Sequence, residues 1–142
     1  MRLPMYVRQY SGCDSATMKS ILLVDDSKFQ RTANMRSLTR AGYHVLVAGD
    51  GEEAISLASH TPPDLIFLDL MLPKMSGVDV LKTLKGSSAT ASIPVVVLSG
   101  LSDKNEAKLL EEGAVAYLEK SKLDAKQQSE ALREVVERVI GK

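Results

Sequence analysis

Three aspartates stand at the ends of apolar stretches, and they are the residues best placed to do chemistry. Asp25 and Asp26 follow the run I-L-L-V at 21–24, and Asp69 ends the run D-L-I-F-L-D at 64–69. A continuous apolar run of this length is typical of a strand buried on both faces of a parallel sheet. If the two strands are neighbours, three carboxylates meet at one edge, where their repulsion is tolerable only with a cation or with shared protons. A hard divalent cation is the natural partner of such a cluster, so we predict a metal site with Asp69 as the reacting group.

The segment after Asp69, L-M-L-P-K-M-S-G, predicts a turn from a strand into a helix. Pro73 cannot continue the hydrogen-bond ladder of a sheet, and Ser76 and Gly77 precede a new helical pattern. We therefore expect Asp69 to be displayed in this turn rather than buried in the sheet, at an edge where open α/β sheets bind ligands. Taken alone, Asp69 has a simpler interpretation as a turn or capping aspartate.

A hydroxyl and an ammonium group are expected at the same edge. Ser99 follows the apolar run 93–98, and Lys120 stands shortly after the run 114–118. Because the carboxyl ends of parallel strands share one edge, these two side chains should approach the acids.

The elements that must position these groups alternate regularly along the chain. Strands are expected at 20–24, 44–48, 64–68, 94–98 and 114–118, and helices at 27–41, 51–60, 76–86, 102–112 and 125–140. Such an alternation predicts a parallel sheet with helices on both faces and right-handed crossovers. Asp50 and Glu53 have the spacing of a helix start in which the first acid caps the helix and the second reaches back to a free backbone N–H. Gly42 and Gly113 fall where left-handed helix ends are expected.

Composition narrows the class of protein. The chain has 142 residues, which suits one domain, and its 18 basic and 18 acidic residues cancel, so no global field attracts nucleic acid or an anionic membrane. Cys13 is the single cysteine, which excludes an internal disulfide and favours a reducing cytoplasm. No stretch reaches the length of a membrane span. The apolar residues of 1–18 show neither helical nor strand periodicity, so we expect an extension there, outside a core domain at 19–142.

Together with Tyr117, the three aspartates, Ser99 and Lys120 make the chain similar to the receiver domain of two-component response regulators. The resemblance covers about residues 19–140 and rests on the acidic pair, the segment L-D-L-M-L-P-K-M-S-G, Ser99-Gly100, Tyr117 and Lys120, in that order. It implies an α/β, flavodoxin-like, doubly wound sheet of five parallel strands in the order 2-1-3-4-5 with five helices. It also implies a regulatory phosphoacceptor rather than an enzyme. We interpret the chain as a stand-alone receiver, with no room for an effector domain.

The resemblance assigns roles to the acids. Asp69 would accept a phosphoryl group from a histidine kinase or a phosphotransfer protein. Asp26 and Asp69 would coordinate Mg²⁺ directly, Asp25 through water, and Met71 through its backbone carbonyl. Mg²⁺ retains several waters and needs few protein oxygens, so this small ligand set is chemically sufficient.

The resemblance also assigns the remaining groups. Lys120 would pair with the acids and then with a phosphoryl oxygen, and Ser99 would donate a hydrogen bond to the phosphoryl group. Tyr117 would be a switch residue that turns inward on phosphorylation and alters the face of helix 4, strand 5 and helix 5, where an output protein binds. Taken singly, Lys120 could be a solvated charge, Ser99 a loop hydroxyl and Tyr117 a core residue. The proline that the family has after the lysine is replaced by Ser121.

Several alternatives stay open. The chain could be a receiver fragment of a larger kinase or regulator, or a receiver used only as a scaffold. An aspartate-nucleophile phosphohydrolase needs a second acid two residues after the nucleophile, where this chain has Met71. A flavodoxin-like cofactor carrier needs a phosphate loop rich in Ser, Thr and Gly after the first strand, where the sequence is D-D-S-K-F-Q-R.

Overall fold

A computed structural model describes residues 18–99, 106–119 and 124–141. Within these ranges the apolar runs form five parallel strands in the order β2-β1-β3-β4-β5, and a helix follows each strand. The elements are β1 Ser20–Val24, α1 Lys28–Arg40, β2 His44–Ala48, α2 Gly51–His60, β3 Leu65–Asp69, α3 Gly77–Gly86, β4 Val95–Ser99, α4 Glu106–Glu111, β5 Ala116–Glu119 and α5 Ala125–Ile140. This confirms the predicted fold class and strand order.

The core lies in two layers because successive side chains of a strand point to opposite faces of the sheet. Leu22 and Val24 of β1 pack on the face covered by α2, α3 and α4, whereas Ile21 and Leu23 pack on the face covered by α1 and α5. The central strand β3 is buried along its whole length. Apolar side chains on both faces are what the continuous runs predicted.

The strands on one side of the sheet end later than the sequence suggested. β3 and β4 each end one residue beyond the predicted range, so Asp69 and Ser99 are the last residues of their strands. The ladder continues past Asp69, since the amide of Leu70 donates to the carbonyl of Leu98 at 3.1 Å. The prediction that Asp69 is displayed in a turn is therefore wrong: its exposed fraction is 5%.

The signals at the helix ends are confirmed. Gly42 and Gly113 have φ values of 101° and 115°, the left-handed conformation expected after a helix. The side chain of Asp50 caps α2 by accepting from the amide of Glu53 at 2.9 Å. The Glu53 side chain reaches back as predicted and accepts from the amide of Gly49, one residue before the capping residue, at 2.8 Å. The predicted extension at 1–18 lies almost wholly outside the described residues, as does the predicted start of the fourth helix.

Candidate functional site

The acidic pair lies in the loop from β1 to α1. Asp25 directly follows the strand and is 3% exposed, while Asp26 is exposed. The carboxylate oxygen Oδ1 of Asp25 accepts from the amide of Ser27 at 2.9 Å, and Ser27 then caps α1. The amide of Asp25 donates to the carbonyl of Ala48 in β2 at 3.1 Å. The pair therefore consists of one buried, anchored carboxylate and one that faces solvent.

Asp69 is held by the loop that follows β3. Its Oδ1 accepts from the amide of Met71 at 3.0 Å, and the loop closes when the amide of Gly77 donates to the carbonyl of Leu70 at 3.1 Å. A Cβ on Gly77 would lie 2.5 Å from the Cα of Leu70 and 2.6 Å from the carbonyl oxygen of Asp69. Both neighbours are backbone atoms, so the close approach requires glycine at this position.

The same loop contacts the start of α2. Lys74 has a φ of 68°, an uncommon conformation for a residue other than glycine, and its Nζ lies 3.9 Å from Oδ2 of Asp50. Met75 packs against Gly51, where a Cβ would lie 3.2 Å from the Met75 sulfur and 2.5 Å from Val80. The absence of a side chain on Gly51 thus lets α2 and α3 close over the base of the loop.

The three predicted carboxylates come together. One oxygen each from Asp25, Asp26 and Asp69 lies within 4.8 Å of the other two. Because two of these acids are buried, their negative charges cannot be screened by water alone. An all-oxygen, all-carboxylate donor set fits a hard divalent cation such as Mg²⁺.

The remaining predicted residues are placed as follows. Ser99, 1% exposed, ends the strand beside that of Asp69. Tyr117 is half-buried in β5 and packs against the core layer under α2, α3 and α4. The side chain of Met71 is 61% exposed, and its amide donates to the Asp69 carboxylate. Lys120, together with Gly100 and Ser121, lies outside the described residues, so its role stays a prediction.

Comparison with known proteins identifies the family. The family model for the response regulator receiver domain matches residues 21–134. The chain belongs to the response regulator receiver domain family. Members of this family are regulatory phosphoacceptor domains of two-component systems, and an acidic pocket that binds Mg²⁺ is typical of them. The family resemblance inferred from the sequence is thereby confirmed.

The receiver domain is similar to a transcriptional regulator and to solved receivers. It is 41% identical over 103 residues to the alkaline phosphatase synthesis transcriptional regulatory protein PhoP of Bacillus subtilis, covering 72% of this chain and 42% of PhoP. The phosphorylated cyanobacterial phytochrome response regulator RcpA is 29% identical with a TM-score of 0.78, covering 87% of this chain and 95% of RcpA. The Mn²⁺-bound response regulator Rcp1 is 29% identical with a TM-score of 0.74, and the match covers 84% of this chain and 92% of Rcp1. The chain thus spans less than half the length of PhoP. Among the helices that the structure describes, none has the length and apolar character needed to cross a membrane.

One residue beside the site was missed by sequence reasoning. Arg31 of α1 reaches back to the acidic loop, where its Nη1 donates to the carbonyl oxygen of Asp25 at 2.7 Å. Its only sequence signal is its place one turn into a helix that starts after two acids. That signal is weak, because the direction of an arginine side chain depends on the tertiary surroundings.

Proposed function

We propose that this receiver domain is the phosphoacceptor switch of a two-component phosphorelay and that Asp69 accepts the phosphoryl group. The observation that carries the proposal is the convergence of Asp25, Asp26 and Asp69, with one oxygen of each within 4.8 Å of the others. The donor would be a histidine kinase or a phosphotransfer protein. The unit that performs this function would be residues 19–142.

In the proposed reaction, a carboxylate oxygen of Asp69 attacks phosphorus in line. The new O–P bond forms a mixed anhydride while the N–P bond of the donor phosphohistidine breaks, and the released imidazole takes up a proton. The amide of Met71 restricts rotation of the Asp69 carboxylate through its hydrogen bond to Oδ1. Ser99, one residue past the partner of Asp69 in β4, would donate a hydrogen bond to the phosphoryl oxygens.

The metal that the proposal requires is Mg²⁺, held by Asp26 and Asp69 directly and by Asp25 through water. Bound Mg²⁺ would supply positive charge against the phosphoryl oxygens. The backbone carbonyl of Met71 would be a further ligand, and Lys120 would add a second positive charge. The Mn²⁺-bound form of Rcp1 supports a divalent cation in a fold of this kind.

The proposed output is a protein–protein contact through α4, β5 and α5. Leu110 of α4 is 43% exposed and Val115, just before β5, is 50% exposed. Tyr117 lies in the strand between the two helices and is half-buried, so inward rotation of its ring would change this face. Neither nucleic acid nor a membrane is required.

Two alternative functions can be compared with the proposed one. A receiver that forms part of a larger regulator is favoured by the coverage of only 42% of PhoP, and it would use the same site. An aspartate-nucleophile phosphohydrolase would need a catalytic acid at the position of Met71, whose side chain is exposed and carries no proton donor.

The test is incubation with acetyl phosphate and Mg²⁺, followed by intact mass measurement. The parent should gain the mass of one phosphoryl group, and Asp69→Asn should gain none. Asp79→Asn is the matched control, because Asp79 is an exposed aspartate of α3 outside the acid cluster. Chelation of Mg²⁺ should abolish labelling in both the parent and the control. Stoichiometric labelling of Asp69→Asn would show that Asp69 is not the phosphoacceptor.

A further inference from the structure

Arg31 joins α1 to the acidic loop through the backbone rather than through a carboxylate. Its Nη1 donates to the carbonyl oxygen of Asp25 at 2.7 Å, a short hydrogen bond from a charged donor. The guanidinium occupies a slot above Gly49, where a Cβ would lie 3.0 Å from Nη1. A single side chain therefore ties the β1–α1 loop to α1 beside the β2–α2 loop.

The carbonyl that Arg31 holds belongs to the peptide group between Asp25 and Asp26. Because that peptide is planar, fixing its oxygen also fixes the direction in which the chain enters Asp26. The other two acids are held by their own carboxylates, Asp25 by the amide of Ser27 and Asp69 by the amide of Met71. Within the described residues, no hydrogen bond or ion pair engages the Asp26 carboxylate, so its direction depends on its backbone.

We propose that Arg31 is a positioning residue that directs the Asp26 carboxylate toward the metal pocket. The inference rests on the proposed function, since it requires that the acid cluster binds Mg²⁺. Arg31 contributes no ligand. It holds the backbone of the exposed acid, and loss of a partner that orients a metal ligand typically lowers metal affinity by about tenfold or more.

The sign of the effect distinguishes positioning from charge. A guanidinium close to the cluster repels an incoming cation, so a purely electrostatic role predicts that removing it strengthens Mg²⁺ binding. Positioning predicts weaker binding on the same removal. A purely structural role predicts lower stability with no change in the Mg²⁺ dissociation constant of the folded protein.

The experiment measures the Mg²⁺ dissociation constant by NMR titration of backbone amides in the full chain, beside the urea unfolding midpoint. Arg31→Met removes the donor and the charge. Gly49→Ala retains the charge but places a Cβ 3.0 Å from Nη1, so that the guanidinium must shift, and it remains informative if Arg31→Met does not fold. Arg36→Met is the matched control, because Arg36 is an exposed arginine of the same helix and the same charge is lost.

We expect the dissociation constant to rise about tenfold in Arg31→Met, to rise in Gly49→Ala and to stay that of the parent in Arg36→Met. At saturating Mg²⁺, the phosphorylation rate of Arg31→Met should return to that of the parent. An unchanged or lower dissociation constant in Arg31→Met or Gly49→Ala overturns the role of Arg31 while leaving the metal site in place. Absence of Mg²⁺ binding by the parent would instead overturn the proposed metal site, and with it this inference.

Discussion

Neutralising Asp26 should make the receiver more stable without Mg²⁺ and less stable with it. The change is Asp26→Asn, which removes one charge from the cluster and nearly preserves the shape of the side chain. Among the described residues, no hydrogen bond or ion pair of the Asp26 carboxylate is lost when its charge is removed. What is relieved is the repulsion from Asp25 and Asp69.

The magnitude follows from the separation of the carboxylates. Their closest oxygens lie within 4.8 Å. In a water-like dielectric, two unit charges at this distance repel by about 1 kcal/mol, and at an effective dielectric of 20 by roughly 3.5 kcal/mol. Asp26 is exposed and has two such neighbours, so the lower value gives about 2 kcal/mol for the two pairs, which screening by salt reduces to about half. We expect the free energy of unfolding without metal to rise by about 1 kcal/mol, which is roughly 0.5 M in the urea midpoint.

In Mg²⁺, the parent should be more stable than Asp26→Asn. At ten times its dissociation constant, Mg²⁺ should stabilise the parent by about 1.4 kcal/mol, and most of this stabilisation should be absent in Asp26→Asn. The assay is urea unfolding of both proteins in a chelator and in Mg²⁺. Asp79→Asn, outside the cluster, should respond to Mg²⁺ as the parent does. If Asp26→Asn is less stable in the chelator, or gains as much from Mg²⁺ as the parent, the reasoning from repulsion is wrong.

Three other predictions test the loop and the core. Gly77→Ala should lower the free energy of unfolding by about 2–3 kcal/mol in urea unfolding, because the new Cβ meets the backbone of Asp69 and Leu70; a loss below about 0.5 kcal/mol would show that the loop moves freely. Met71→Asn should accelerate loss of the phosphoryl group with no phosphatase present, because an amide can orient the attacking water and a thioether cannot; unchanged or slower decay would remove this side chain from the mechanism. Burial lowers the pKa of Lys85 below its usual value of 10.5. The unfolded chain then binds more protons between the lowered pKa and 10.5, so stability should rise with pH across that window and the rise should be absent in Lys85→Met; an NMR titration of Lys85 at or above 10.5 would contradict this.

The strands and the meeting of the acids could be predicted because they depend on local composition. A run such as L-I-F-L in β3 is apolar at every position, and only a strand covered on both faces buries all of it. Parallel strands then end at a common edge, so acids that follow β1 and β3 must approach each other. The cap of α2 by Asp50 is equally local, since it spans only three residues.

The burial of Asp69 and the direction of the Arg31 side chain depend on the tertiary structure. Asp69 is 5% exposed although it ends its strand, and nothing within the run 64–69 records which segments pack around its side chain. The turn of Arg31 back to the carbonyl of Asp25 needs the slot above Gly49, which is set by β2 lying beside β1. The direction of a long side chain such as Arg31 depends on the neighbouring elements, which no local pattern records. The order of residues is therefore enough to predict which side chains meet at the edge of the sheet, whereas their burial and direction depend on how the elements pack.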